Sequence, residues 1–139
     1  MDYKNLIENA LDARKMAYAP YSNFTVGAAL LAADGQVFRG CNIESASFSP
    51  TNCAERTAIF NAVSKGVKDF TAIAVVGGKA DSTALEFCTP CGVCRQVMTE
   101  FCVPVDFKVI IAKSENEYLV KTLDELLPMS FGPERLAKG

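Results

Sequence analysis

Apolar residues recur at Leu6, Ile7, Ala10, Leu11, Met16 and Ala17, a helical spacing that predicts a helix over 2–17. Pro20 stops that helix and pushes Ala19 out of the α region. The period then changes. Residues 24–31, Phe-Thr-Val-Gly-Ala-Ala-Leu-Leu, read as a strand, Asp34-Gly35 as a hairpin turn and 36–41 as the returning strand. Residues 42–51 are polar and turn-rich and predict a long loop. Asn52 can cap a helix from 53 to about 64, with Ala54, Ala58, Ile59, Ala62 and Val63 as its buried stripe and Gly66 as its stop. Residues 70–76 are an almost unbroken β-prone run, which predicts a strand covered on both faces. A second long loop over 77–90 leads to Thr89 as cap and Pro90 as first residue of a helix reaching about 101. Strands follow over 107–112 and 117–121, then a short helical turn over 123–127 and a tail from 128 to 139.

Helices alternate with buried strands, and no repeat or linker interrupts them. The pattern predicts one α/β domain over 1–139, a three-layer α/β/α sandwich with a central five-stranded mixed sheet. Both long loops lead into helices, and such loops are where α/β proteins place their sites.

Composition narrows the function classes. The chain has 139 residues, half of them hydrophobic and 22% charged, as expected of one globular domain with a real core. A formal charge of −2 gives no electrostatic footprint for nucleic acid. No apolar run reaches the roughly 18 residues that suggest a membrane span, and residues 1–5 lack the layout of a signal peptide. The expectation is a cytoplasmic protein without a nucleic-acid or membrane partner, in a reducing compartment. There, six cysteines mean thiols or metal ligands more often than disulfides. Histidine is absent, which excludes Ser–His and Cys–His nucleophiles and any histidine-ligated metal.

The candidate chemistry lies at the starts of the two loop-led helices. One reads Asn52-Cys53-Ala54-Glu55-Arg56, the other Thr89-Pro90-Cys91-Gly92-Val93-Cys94-Arg95. A Cys-x-x-Cys pair in a first helical turn can hold one metal ion, and Cys53 would supply a third thiolate. Three protein ligands leave the fourth tetrahedral position of Zn²⁺ open, the mark of a catalytic site. Glu55, two residues past Cys53, is placed to handle protons there. Other readings stand beside this one. Cys91 and Cys94 could be a redox dithiol. Cys88 could join the three cysteines in a closed structural site. Glu55 could be the distal member of a capping box with Asn52.

Three thiolates and Zn²⁺ carry a formal −1, which opposes deprotonation of a bound water unless something compensates. Two helix N-termini each offer about half a positive charge. Arg56 and Arg95 follow a ligand in each helix and could donate to thiolate sulfur, a contact that tunes a metal; the plainer reading of either is a surface residue. Asn42 and Glu44, two apart on an extended segment, share a side and offer a donor and acceptors to a hydroxyl. Phe24 at a strand start reads first as core, and Cys41 and Cys102 as core thiols.

Taken together these residues resemble the small, single-domain cytidine deaminases. Cys-Ala-Glu followed by Pro-Cys-x-x-Cys is similar to the zinc deaminase signature with cysteine in place of its first histidine. The resemblance also covers Tyr21 to Leu30, Gly40-Cys41-Asn42-Ile43-Glu44 and Leu126 to Pro133. It implies hydrolytic deamination of cytidine and deoxycytidine by a homotetramer that carries one Zn²⁺ per subunit and shares its active sites. Cys53, Cys91 and Cys94 would bind the metal, and Glu55 would shuttle protons from water to N3 of the ring and help ammonia leave. Asn42 and Glu44 would hold the ribose 3′-hydroxyl. Phe24 would flank the base, the backbone of Ala54 would contact it, and Phe131 would reach a neighbouring subunit's site. The chain departs from the family at Phe48, where relatives often carry tyrosine, in a longer 80–89 segment, and in the extra Cys88.

Overall fold

The computed structural model describes residues 3–136. Residues 1, 2 and 137–139 lie outside the described residues, and with them the first position of the expected first helix and the end of the tail. Five strands, β1 (Phe24–Ala32), β2 (Val37–Cys41), β3 (Phe70–Lys79), β4 (Lys108–Ser114) and β5 (Glu117–Thr122), form one sheet in the order β2-β1-β3-β4-β5. Only β3 and β4 pair in parallel; the other pairs are antiparallel. The sheet is therefore mixed, as the pattern predicted.

The strands alternate between two cores. Ala29, Ala72, Ala74, Val76, Ile110 and Ala112 pack with Leu6, Ile7 and Ala10 of α1 (Lys4–Arg14). Ala28, Leu30, Ile73, Val75, Val109 and Ile111 face α2 (Ala54–Ser64) and α3 (Gly92–Thr99). The three layers follow from this period of two. A fully buried side chain such as Ile73 or Ile111 contributes about 1.5–3 kcal/mol relative to exposure.

Gly40 decides how closely α2 approaches. A Cβ there would stand 2.3 Å from the Ala58 nitrogen and 2.4 Å from the Ala54 oxygen. The absent side chain lets the first turns of α2, and so Cys53 and Glu55, press against β2. Gly66, at φ +87°, ends α2, with Gly66 N donating to Val63 O and Val67 N to Ala62 O.

Several expected boundaries move. The first helix ends at Arg14 because residues 18–44 claim the chain: Tyr18 N donates to Asn42 O and Glu44 N to Tyr18 O. Met16, expected on the buried stripe, is 77% exposed as a result. Strand β3 continues past residue 76 to Lys79 because β1 pairs with it to its end, Phe24 opposite Lys79. Neither expected helix cap forms. Asn52 exchanges two backbone hydrogen bonds with Ile43 and is extended, so Cys53 becomes the N-cap of α2. At α3 the helix starts later than Pro90, with Cys91 as N-cap. The expected short turn is α4 (Leu123–Leu126), and a capping box of Thr122 and Glu125 starts it. The tail contains one 3₁₀ turn, Pro133–Leu136.

Candidate active site

The two N-caps bring the thiols together. Cys53 Sγ lies 3.7 Å from Cys91 Sγ, and Cys91 Sγ lies 3.4 Å from Cys94 Sγ. All three sulfurs lie within 4.8 Å of one another. Neither cap thiol accepts a hydrogen bond from a backbone amide of its own helix. A tetrahedron with Zn–S bonds of ~2.3 Å has edges of ~3.8 Å, so the donor set and its spacing fit one zinc ion. Cys88 stands outside the cluster, which argues against the closed four-thiol site.

A cleft of about 230 Å³ opens beside the cluster. Cys53, Cys91, Ala54 and Glu55 line its floor, and Asn42, Glu44, Thr51 and Asn52 line it as well. Val26, Cys88 and Thr89 complete it. A larger cavity between α1 and the 80–85 segment holds none of these residues.

Glu55 is 4% exposed, at the second position of α2. It forms no capping box, because the Asn52 side chain donates instead to the Thr57 hydroxyl at 3.1 Å. Burial pushes its carboxyl up to about 7. Cys53 moves the other way, pulled down to about 5 by a hydrogen bond from Cys94 and by the Arg56 guanidinium, against burial. Cys94, sharing its proton with Cys53 and buried, stays protonated until a metal replaces its hydrogen. Arg56 Nη2 donates to Cys53 Sγ at 3.4 Å. Arg95 is turned away from sulfur: it donates to Pro90 O at 2.8 Å and Leu126 O at 2.6 Å, tying α3 to α4.

Asn42 and Glu44 do share a side, both lining the cleft. Asn42 is braced on β1, accepting from Val26 N and donating to Phe24 O, each at 2.9 Å. Phe24 itself is not in the lining; its ring packs over Gly77, where a Cβ would meet it at 3.2 Å and Cys88 Sγ at 3.1 Å. Phe131 is 59% exposed and also outside the cleft, its carbonyl held by Gln96 at 2.7 Å. Cys88 and Thr51 were not singled out for the cleft by sequence. Only the pairing of β1 with β3 and the 42–52 loop brings them there, and no local signal announces it.

The zinc-binding region of cytidine and deoxycytidylate deaminases matches residues 1–112, a span that holds all three clustered cysteines. The cytidine deaminase of Halalkalibacterium halodurans is 51% identical over 134 residues, 96% of this chain and 97% of that protein. The chain belongs to the cytidine deaminase family. Within the family, the cytidine deaminase of Sporosarcina psychrophila is 47% identical, with 99% and 96% of the two chains covered. The crystal structure of cytidine deaminase from Burkholderia pseudomallei superposes with a TM-score of 0.84 at 47% identity, covering 94% of this chain and all of that one. The expected fold and family both stand.

Proposed function

We propose that the chain catalyses hydrolytic deamination of cytidine and deoxycytidine to uridine and deoxyuridine, with release of ammonia. The observation that carries this reading is a buried carboxyl, Glu55, in one cleft with Asn42, Glu44 and two members, Cys53 and Cys91, of the three-thiol cluster. Family membership supports it from outside the site.

Cys53, Cys91 and Cys94 would hold one zinc ion per chain. When bound, zinc supplies an open coordination position at which water becomes acidic near neutral pH. The remaining work falls to side chains. Glu55, with a pKa near 7, can take a proton from water and return it to N3 of the ring at neutral pH. It can then hand a proton to the departing amine, so that oxygen replaces nitrogen at C4. Asn42 and Glu44 orient the nucleoside through a ribose hydroxyl, and the Ala54 backbone meets the base. Arg56 offsets thiolate charge.

The same reading includes assembly. Phe48, Met129 and Phe131 are 87%, 98% and 59% exposed on one chain, and Tyr21 is 60% exposed. Such a set of uncovered apolar groups suits contacts between copies. A homotetramer would cover them and bring Phe131 to a neighbouring cleft, with Phe24 flanking the base beside it. No described helix is long and apolar enough to cross a membrane. A cytoplasmic enzyme acting on free nucleosides, not on nucleic acid, accords with the charge of −2.

An ultraviolet assay with cytidine and deoxycytidine, run beside metal analysis, tests the proposal. Deamination that requires one zinc per chain is expected. A zinc-loaded protein that releases no ammonia from either nucleoside would overturn it.

A further inference from the structure

Glu44 has more partners than its place in the cleft requires. Its Oε1 accepts from Tyr21 N at 3.0 Å and from Ser22 N at 3.1 Å. Its Oε2 accepts from the Ser22 hydroxyl. Ser22 Oγ in turn accepts from Phe24 N at 3.1 Å. A chain of donors therefore runs from the start of β1 through Ser22 to the carboxylate. Asn23, between the two, sits at φ +57°, in the left-handed region. Asn23 N donates to Ala19 O at 3.0 Å and closes the turn.

Counting lone pairs shows what this leaves. A carboxylate offers about four acceptor sites. Three are filled, and the vacant one is on Oε2. Asn42 has likewise committed one amide hydrogen to Phe24 O, which leaves it one. One acceptor and one donor, on residues that line the same cleft, suit a single hydroxyl that donates to Glu44 and accepts from Asn42.

We propose that Ser22 is a positioning residue for nucleoside recognition: its hydroxyl, with the amides of Tyr21 and Ser22, clamps Glu44 so that one acceptor remains for one sugar hydroxyl. This rests on the reading of Glu44 as a sugar contact. Hydrogen bonds from the Ser22 side chain and backbone also hold the Glu44 carboxyl below its ordinary range, so it enters the contact as an anion. Without the clamp, the carboxylate of a partly exposed glutamate turns freely, and fixing it again on binding costs affinity.

The test compares Ser22→Thr with Ser22→Val, a near-isosteric pair that differs in the hydroxyl, using cytidine and 3′-deoxycytidine as substrates. Ser22→Val is expected to raise KM for cytidine roughly tenfold, the scale of one hydrogen bond to a charged group. Turnover and zinc content should change little, as for lost uniform binding. KM for 3′-deoxycytidine, which lacks the hydroxyl, should barely move, and Ser22→Thr should restore cytidine. An equal loss on both substrates, or no difference between Ser22→Thr and Ser22→Val, would overturn the proposal while Glu44 kept its role. The Glu44 reading fails separately, and the proposal with it, should the unsubstituted enzyme treat the two substrates alike. A melting temperature measured on each variant separates a folding defect from a loss of recognition.

Discussion

Arg56 Nη2 lies 3.4 Å from Cys53 Sγ, and the Nε of the same guanidinium is buried with no hydrogen-bond partner among the described residues. A cation held against sulfur, at the cost of one unsatisfied N–H, fits charge compensation better than a surface role. Arg56→Ala should therefore make a metal-bound water harder to deprotonate. The acidic limb of the kcat/KM profile is expected to move upward by about one pH unit, the displacement that ~1.4 kcal/mol of lost support produces. An unmoved limb with only a lowered melting temperature would leave Arg56 structural.

Removal of any one clustered thiol should abolish the metal site. Cys53→Ala, Cys91→Ala and Cys94→Ala are each expected to lose stoichiometric zinc and activity together. Cys88 lines the cleft but stands outside the cluster, and burial pushes its thiol up to about 11, so it stays neutral. Cys88→Ala should keep zinc at one per chain. Metal analysis by mass spectrometry decides, and zinc loss on changing Cys88 would restore the four-thiol alternative.

Glu55→Gln should retain zinc and bind cytidine, yet lose at least two to four orders of magnitude in kcat, the usual scale of positioned proton transfer. A second readout follows from its pKa. The folded value is about 7 against an ordinary 4.5, so the folded state binds this proton more tightly than the unfolded chain does. That contribution is complete below about 4.5 and is lost as pH rises through 7. In zinc-stripped protein, the substituted chain should therefore gain on the original between those values, by up to ~3 kcal/mol. Urea unfolding across the pH range measures the gap, and parallel curves would contradict the assignment.

A 3′-phosphate offers no hydroxyl to Glu44 and brings a like charge within about 4 Å, a repulsion of roughly 4 kcal/mol at an effective dielectric of 20. Cytidine 3′-monophosphate and oligocytidine are expected to be at least about a hundredfold poorer than cytidine by kcat/KM. Glu44→Gln should narrow that gap while weakening cytidine. Efficient deamination of an oligonucleotide would place the enzyme among those acting on polynucleotides.

Assembly has its own check. Sedimentation at micromolar concentration should show a tetramer, and Phe131→Ala should raise KM for cytidine several-fold with zinc content unchanged. A fully active monomer would rule out shared sites.

The chain by itself determined the layers and the donors. The β-prone runs over 24–31 and 70–76, the second almost unbroken, set against helical stripes, are enough to predict a sheet covered on both faces. With no histidine in the chain, thiols and carboxylates are the donors left for a metal. Local pattern could not place the caps. Asn52 is a better cap than Cys53 by intrinsic preference, but its backbone is taken by Ile43, and that pairing joins residues nine apart through a loop. The resulting one-residue shift places Cys53 at the N-cap and Glu55 in the second helical position, out of capping-box register. Arg95, one residue past Cys94 where Arg56 is three past Cys53, went to the carbonyls of Pro90 and of Leu126 on α4, the second of which no spacing in the chain predicts. Ser22 and Cys88 acquired their neighbours the same way. Local propensity extends over a few residues, whereas strand pairing and helix packing unite positions tens of residues apart. The donors were therefore legible in the sequence, and their registration against one another was set by the tertiary structure.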